Sequence, residues 1–216
     1  MKKILTTFMV AALVLFLGVG VTMAQGPGNA NHNPEDVVND YPEYELSEEQ
    51  IADLEFMYEE EKLARDLYAR LSEEWNLRAF ENISQSESRH MEALAALFDK
   101  YDLEKPASTP GEYNNSELAE AYDDFLARGL ESETVALELG IELEIKDIED
   151  LEEVMVGAPE DFKAVYANLK AGSENHLEAF DRVLNNERGN GRNNKGQNSR
   201  NGKGNMNRNS NKSSNR

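Results

Sequence analysis

The sequence predicts an all-α protein, a four-helix bundle with one long crossover connection. Three observations predict it. Four long stretches repeat apolar residues at alternating spacings of three and four, the period of a helix with one buried stripe. Glu, Leu and Ala dominate the middle of the chain, and Pro is scarce, 6 in 216 residues, as helix interiors require. The connection between the first two stretches is short and that between the second and third is long, which suits a bundle with a single crossover. No segment of β-type alternation is present.

The first long helix opens at Ser47-Glu48-Glu49-Gln50, where Ser47 caps the helix and Gln50 reaches back to it, and runs to about Trp75. The second covers about Arg78 to Tyr101. A stretch containing Pro, Gly and Asn follows, from Lys105 to Asn115. A short amphipathic helix, Ser116 to Arg128, ends at Gly129, a common residue just past a helix C-terminus. The third long helix begins near Ser132 and stops by Gly157. The fourth begins at Pro159, well suited to a first turn, and runs to about Asn185.

The flanks differ from this body, residues 47–186. Residues 1–24 read as a secretory signal: Lys2 and Lys3, an apolar run from Phe8 to Val21, and Thr22-Met23-Ala24 with small residues placed for cleavage before Gln25. The alternative is an uncleaved N-terminal membrane anchor, since Ile4 to Val21 just reaches spanning length. Either way the body is expected to act outside the cytoplasm. Residues 25–46 are turn-rich and polar and read as a flexible leader, with His32 an inert member of it. Residues 187–216 form an Asn/Gly-rich basic tail expected to be disordered, because such a composition buries too little surface to offset its ordering entropy. The tail would contact anionic polymers or serve only as a solubilising arm.

Charge is segregated along the chain. Residues 1–24 carry +2 and residues 188–216 carry +8, so the total of −20 leaves −30 on residues 25–187. That balance argues against nucleic acid as a partner of the body. The absence of Cys excludes disulfides, thiolate zinc sites, iron–sulfur clusters and a cysteine nucleophile. With three histidines in the chain, any imidazole chemistry must use very few residues.

The buried stripes carry the functional signal. They read Leu54, Met57, Glu61, Ala64, Tyr68, Leu71, Trp75 on the first helix and Phe80, Ile83, Glu87, His90, Leu94, Leu97, Tyr101 on the second. On the third they read Leu137, Gly140, Glu144, Asp147, Leu151, Val154, and on the fourth Phe162, Tyr166, Leu169, Ser173, His176, Phe180, Val183. Each is apolar at its ends and polar or ionisable near its middle. Facing one core, Glu61, Glu87, Glu144 and Asp147 would meet His90 and His176 in a single layer. Buried acids without counter-charge are costly, and a multivalent cation supplies that charge. Residues at i and i+3 share a helix face, so Glu87 and His90 present oxygen and nitrogen side by side, a donor mixture that suits iron or manganese. The competing expectation is a metal-free polar network that fixes helix register. Tyr58 and Tyr68 lie near Glu61 on its side of the helix, placed to hydrogen-bond ligands or supply an electron, or simply to fill core. Arg65 would balance carboxylate charge or pair with Asp66 or Glu61.

Glu61-Lys62-Leu63-Ala64-Arg65-Asp66-Leu67-Tyr68 resembles the Glu-x-x-Ala-Arg-x-x-Tyr of the first helix of rubrerythrin-type ferritin-like proteins, and Glu87-Ser88-Arg89-His90 their second-helix Glu-x-x-His. The ordered set Glu-Glu-Lys-Leu-Ala-Arg-Asp, Ser-Glu-x-x-His-Met, Asp-Ile-x-Asp-Leu and Gly-Ser-x-Asn-His-Leu-x-Ala-Phe resembles a ferritin-like domain family of unknown function over about residues 47–186. The resemblance implies a ferritin-like bundle and metal ligands Glu61, Glu87, His90, Glu144 and His176, with Asp147 in the place of a second carboxylate of the third long helix. It implies a cofactor of one or two iron ions and peroxidase or ferroxidase-like oxidoreductase activity. The alternatives are a non-enzymatic metal-binding protein and a cell-surface interaction bundle. One difference from the rubrerythrin pattern is plain. Its fourth helix carries Glu-x-x-His, where this chain has Ser173-x-x-His176 with Gly172 and Leu169 beside it. One bridging acid is therefore missing, and the second metal position is expected to be the weaker. With no Cys in the sequence, a rubredoxin-like electron donor of the kind found in rubrerythrins is not expected within it.

Overall fold

A computed structural model describes residues 34–198, with side chains from Val37 to Asn186. The signal reading of 1–24, and most of the tail reading, fall outside the described residues. Six α-helices follow in order: α1 Pro34–Asn39, α2 Glu48–Trp75, α3 Arg78–Lys100, α4 Ser116–Gly129, α5 Glu133–Val154 and α6 Glu160–Asn198. No strand occurs among the described residues, and no helix there is long and apolar enough to cross a membrane.

The helix ends follow local chemistry. Ser47 and Gln50 form the reciprocal capping box at α2. The α2–α3 turn is made by Asn76, held in the left-handed region at φ 51°, which Asn tolerates better than most residues. Asn115 caps α4 and Ser132 caps α5. Gly157, at φ 80°, makes the turn between α5 and α6, where a β-carbon would be strained.

The four long helices form a square. α2 packs on α3 and α5, and α6 packs on α5 and α3. Short links make α2–α3 and α5–α6 antiparallel. Cross-helix contacts fix the other pairs: Tyr68 of α2 meets Glu144 of α5, and Phe80 and Tyr101 of α3 meet Phe180 and Phe162 of α6. The α3–α5 connection therefore joins parallel, diagonal helices. It must travel the length of the bundle, which is why it is long and carries α4. Two apolar clusters fill the interior. One holds Leu54, Met57, Leu97, Phe98, Leu151, Phe162 and Tyr166; the other holds Leu67, Tyr68, Leu71, Phe80, Leu139, Leu143 and Phe180. The polar layer lies between them.

Two boundaries read from sequence are corrected. Residues 34–46, assigned to a flexible leader, dock on the bundle. Val38 is buried in the core, and the Lys100 ammonium holds the Val38, Tyr41 and Pro42 carbonyls at 2.9–3.1 Å while pairing with Asp161 at 2.7 Å. One buried apolar side chain and one cation that gathers carbonyls outweigh the polar composition. At the other end α6 continues to Asn198, beyond the stop expected near Asn185. No Pro interrupts the segment, and glycine weakens a helix without ending it.

Candidate metal centre

Every ionisable residue of the predicted layer is buried: Glu61, Glu87, His90, Glu144, Asp147 and His176. α2 supplies Glu61, α3 Glu87 and His90, α5 Glu144 and Asp147, and α6 His176. His90 Nδ1 lies 2.7 Å from Glu87 Oε2 and 3.1 Å from Glu61 Oε2. His176 Nδ1 lies 2.9 Å from Glu87 Oε1 and 3.4 Å from Glu144 Oε2. The two imidazoles stack with ring centres 5.3 Å apart. Among the described residues, Glu87, His90 and His176 form the group whose ligand atoms all lie within 4.8 Å of one another, a set that could hold a metal ion. The remaining carboxylates surround it.

These contacts are short, yet most are not hydrogen bonds. Both Glu87 oxygens, Glu61 Oε1, Asp147 Oδ1 and His176 Nδ1 are buried and lack a hydrogen-bond partner. An ordinary buried polar network pairs such atoms, because each orphan costs about 1–3 kcal/mol. Buried nitrogen and oxygen atoms crowded together in this way could hold a shared cation, and the residues present fit one.

Three neighbours orient the layer. Tyr68 donates its hydroxyl to Glu144 Oε1 at 2.8 Å. Ser173 donates to Asp147 Oδ2 at 2.5 Å, so the residue standing where the resemblance expects a carboxylate holds one instead. Gly172 makes room for His90: a β-carbon there would lie 2.4 Å from Nε2 of that ring. Tyr58 sits apart, edge-on to Phe98 in the apolar core.

Protonation follows from burial and charge. Burial opposes ionisation of Glu87, but His176 and His90 overcome it and hold its pKa down at about 2. Burial, reinforced by the Glu87 charge, raises Glu144 to about 8. Burial also raises Asp147, to about 7, against the Ser173 hydrogen bond. Glu61 is pushed up by burial despite His90. Burial disfavours the charged form of His176, yet Glu144 and Glu87 lift it to about 10, and Glu61 and Glu87 raise His90 likewise. Without a metal ion, protons therefore provide the positive charge.

Two features escaped sequence reading. Glu60 is 4% exposed and lines the same internal space as Glu61, Glu87, Glu144 and Asp147. Its place beside a stripe residue on a strongly acidic helix gave no signal. The outer face of α2 is covered as well. Glu59 accepts the Asn114 and Asn115 amides at 2.6 and 2.8 Å. Asp66 accepts from buried Lys62, from Arg65, from the Gly111 amide and from Tyr113. Arg65 thus turns to Asp66 and the Ser108 carbonyl and pins the crossover rather than facing the acidic layer.

Fold and site together define a helical-bundle protein with a buried Glu/His/His cluster. The chain belongs to the family described as an uncharacterized protein domain, DUF2202, whose model matches residues 50–201. It is similar to uncharacterized protein MJ0754 of Methanocaldococcus jannaschii, 41% identical over 152 residues that cover 69% of this chain and 82% of that protein. The crystal structure of hypothetical protein MJ0754 from Methanococcus jannaschii superimposes with a TM-score of 0.66 at 41% identity, covering 68% of this chain and 86% of that one.

Proposed function

We propose that this protein is a ferritin-like metal-binding protein whose centre takes iron, as one ion or a pair, with manganese the other metal suited to the donor set. The observation that carries this reading is the approach of His90 Nδ1 and His176 Nδ1 to Glu87 at 2.7 and 2.9 Å, among buried donor atoms that lack hydrogen-bond partners. The topology supports it: four long helices with one lengthwise crossover have the ferritin-like order. Glu61, Glu87, His90, Glu144, Asp147 and His176 would hold the metal. Non-haem iron, when bound, supplies one-electron redox chemistry. The chain's own part is to fix donors and exclude water. Tyr68 orients Glu144, Ser173 orients Asp147, and Ala64 and Leu143 line the space with apolar surface. We further propose oxidoreductase activity toward peroxide or ferrous iron, exercised outside the cytoplasm after export on residues 1–24.

Metal analysis and an absorption spectrum of the purified protein test the centre, and turnover with peroxide or ferrous iron tests the activity. The expected result is bound iron that is largely lost in His90→Ala and His176→Ala, each with the helical fold intact. A folded protein that takes up neither iron nor manganese overturns the reading. Iron without turnover leaves a metal-binding protein and removes the enzyme.

A further inference from the structure

We propose that Glu60, Asp147 and Asp150 form a second cation subsite, built from oxygens alone, between the imidazole cluster and the protein surface. It rests on the reading of that cluster as a metal centre and extends it to a residue no part of that reading requires. Glu60 faces the internal space that Asp147 also lines. Glu60 Oε2, Asp147 Oδ1 and Asp150 Oδ2 are all buried atoms without a hydrogen-bond partner. Asp150 stands one turn beyond Asp147 on the same face of α5, and its carboxyl faces Glu60, so the two acids need a proton or a cation between them. Asp147 is committed through its other oxygen to Ser173, which leaves Oδ1 as its free ligand atom.

The cations nearby are otherwise engaged. Lys62 is held on the crossover side by Asp66 at 2.8 Å, and Lys146 pairs with the outer oxygen of Asp150. Asp150 is the outermost member, its side chain 14% exposed, so an ion arriving from solvent would meet it first and displace Lys146. Three carboxylates without an imidazole select hard divalent ions and hold them less firmly than a site with two histidines. The subsite would place the second ion among acids of α2 and α5, since α6 offers Ser173 and no acid there.

Anaerobic titration of the full chain with Mn2+, counting free ion by its paramagnetic resonance signal, tests the subsite. The wild type should bind in two classes, one tight and one weaker. Glu60→Gln and Asp150→Asn should each weaken the second class by about tenfold or more and leave the first unchanged. His176→Ala should weaken the first. If Glu60→Gln fails to melt cooperatively, the partly exposed Asp150→Asn decides the question. The subsite is overturned if the folded variants keep the second class, if they lose both classes equally, or if the wild type shows a single class. A wild type that binds no Mn2+ at all overturns the cluster reading with it.

Discussion

A metal ion at the proposed centre would compete with protons for the same atoms at Glu87, His90 and His176, and that competition would set the pH behaviour of single residues. Glu144, Asp147 and His176 have folded pKa values of about 8, about 7 and about 10, against ordinary values of 4.5, 3.8 and 6.5. A raised value adds stability that is complete below the ordinary pKa and is lost as pH climbs through the folded one. Glu87, lowered to about 2 from 4.5, acts in the opposite sense, but its contribution fades only in acid. Chelator-treated protein should therefore unfold at lower urea near about pH 9 than near about pH 5.5. Saturating metal should flatten that dependence, since the ion replaces the protons. Equal midpoints for chelated protein at the two pH values would contradict this charge balance. At Ser173 the expectation is equally specific. Ser173→Ala removes the donor to Asp147 and should cost about 1–3 kcal/mol in urea denaturation. Ser173→Glu sets a second acid against Asp147, so its melting temperature should fall without metal and rise more than the wild type's when metal is added.

Among the elements, α3 and α6 approach closely at Gly172, where His90 of α3 lies against the backbone of α6. Alanine is the better helix former there by about 1 kcal/mol. Its β-carbon would nevertheless lie 2.4 Å from His90 Nε2, and the ring cannot yield freely because Glu61 and Glu87 bracket its other side. Overpacking of this kind costs about 1–3 kcal/mol, so it prevails. Gly172→Ala should lower stability and metal content together, read by thermal denaturation and metal analysis. An Ala variant more stable than wild type would show that the two helices part easily. On α2, the buried stripe was legible from spacing, and Leu54, Met57, Glu61, Ala64, Tyr68 and Leu71 are all buried. The opposite face was not, because Glu59, Lys62 and Asp66 look like an ordinary solvated surface until the crossover lies on them.

At the scale of the whole molecule, the end of the bundle is strapped by residues 34–46 through Lys100. Lys100→Met would leave Asp161, fully buried, with the Tyr101 hydroxyl as its remaining side-chain donor. Breaking a buried pair from one side costs about 3–5 kcal/mol. The variant should lose about that much stability, and amides of residues 37–44 should exchange with solvent much faster than in wild type. Unchanged exchange there would mean that Val38 alone holds the strap.

Helix period, capping residues and the depth of each ionisable side chain along its helix are local properties, and the sequence by itself determined them. The all-helical class, the starts at Ser47, Ser116 and Ser132, and the coincidence of Glu61, Glu87, His90, Glu144, Asp147 and His176 in one buried layer were readable for that reason. Only the tertiary structure decided which face of α2 the crossover covers, that Arg65 turns outward, that Ser173 grips Asp147, and that Glu60 joins the acidic layer. Those outcomes depend on which residues distant in sequence arrive opposite one another. An acidic side chain exposed to water and one buried against α5 have the same local pattern, and they part company only when α5 is packed in place.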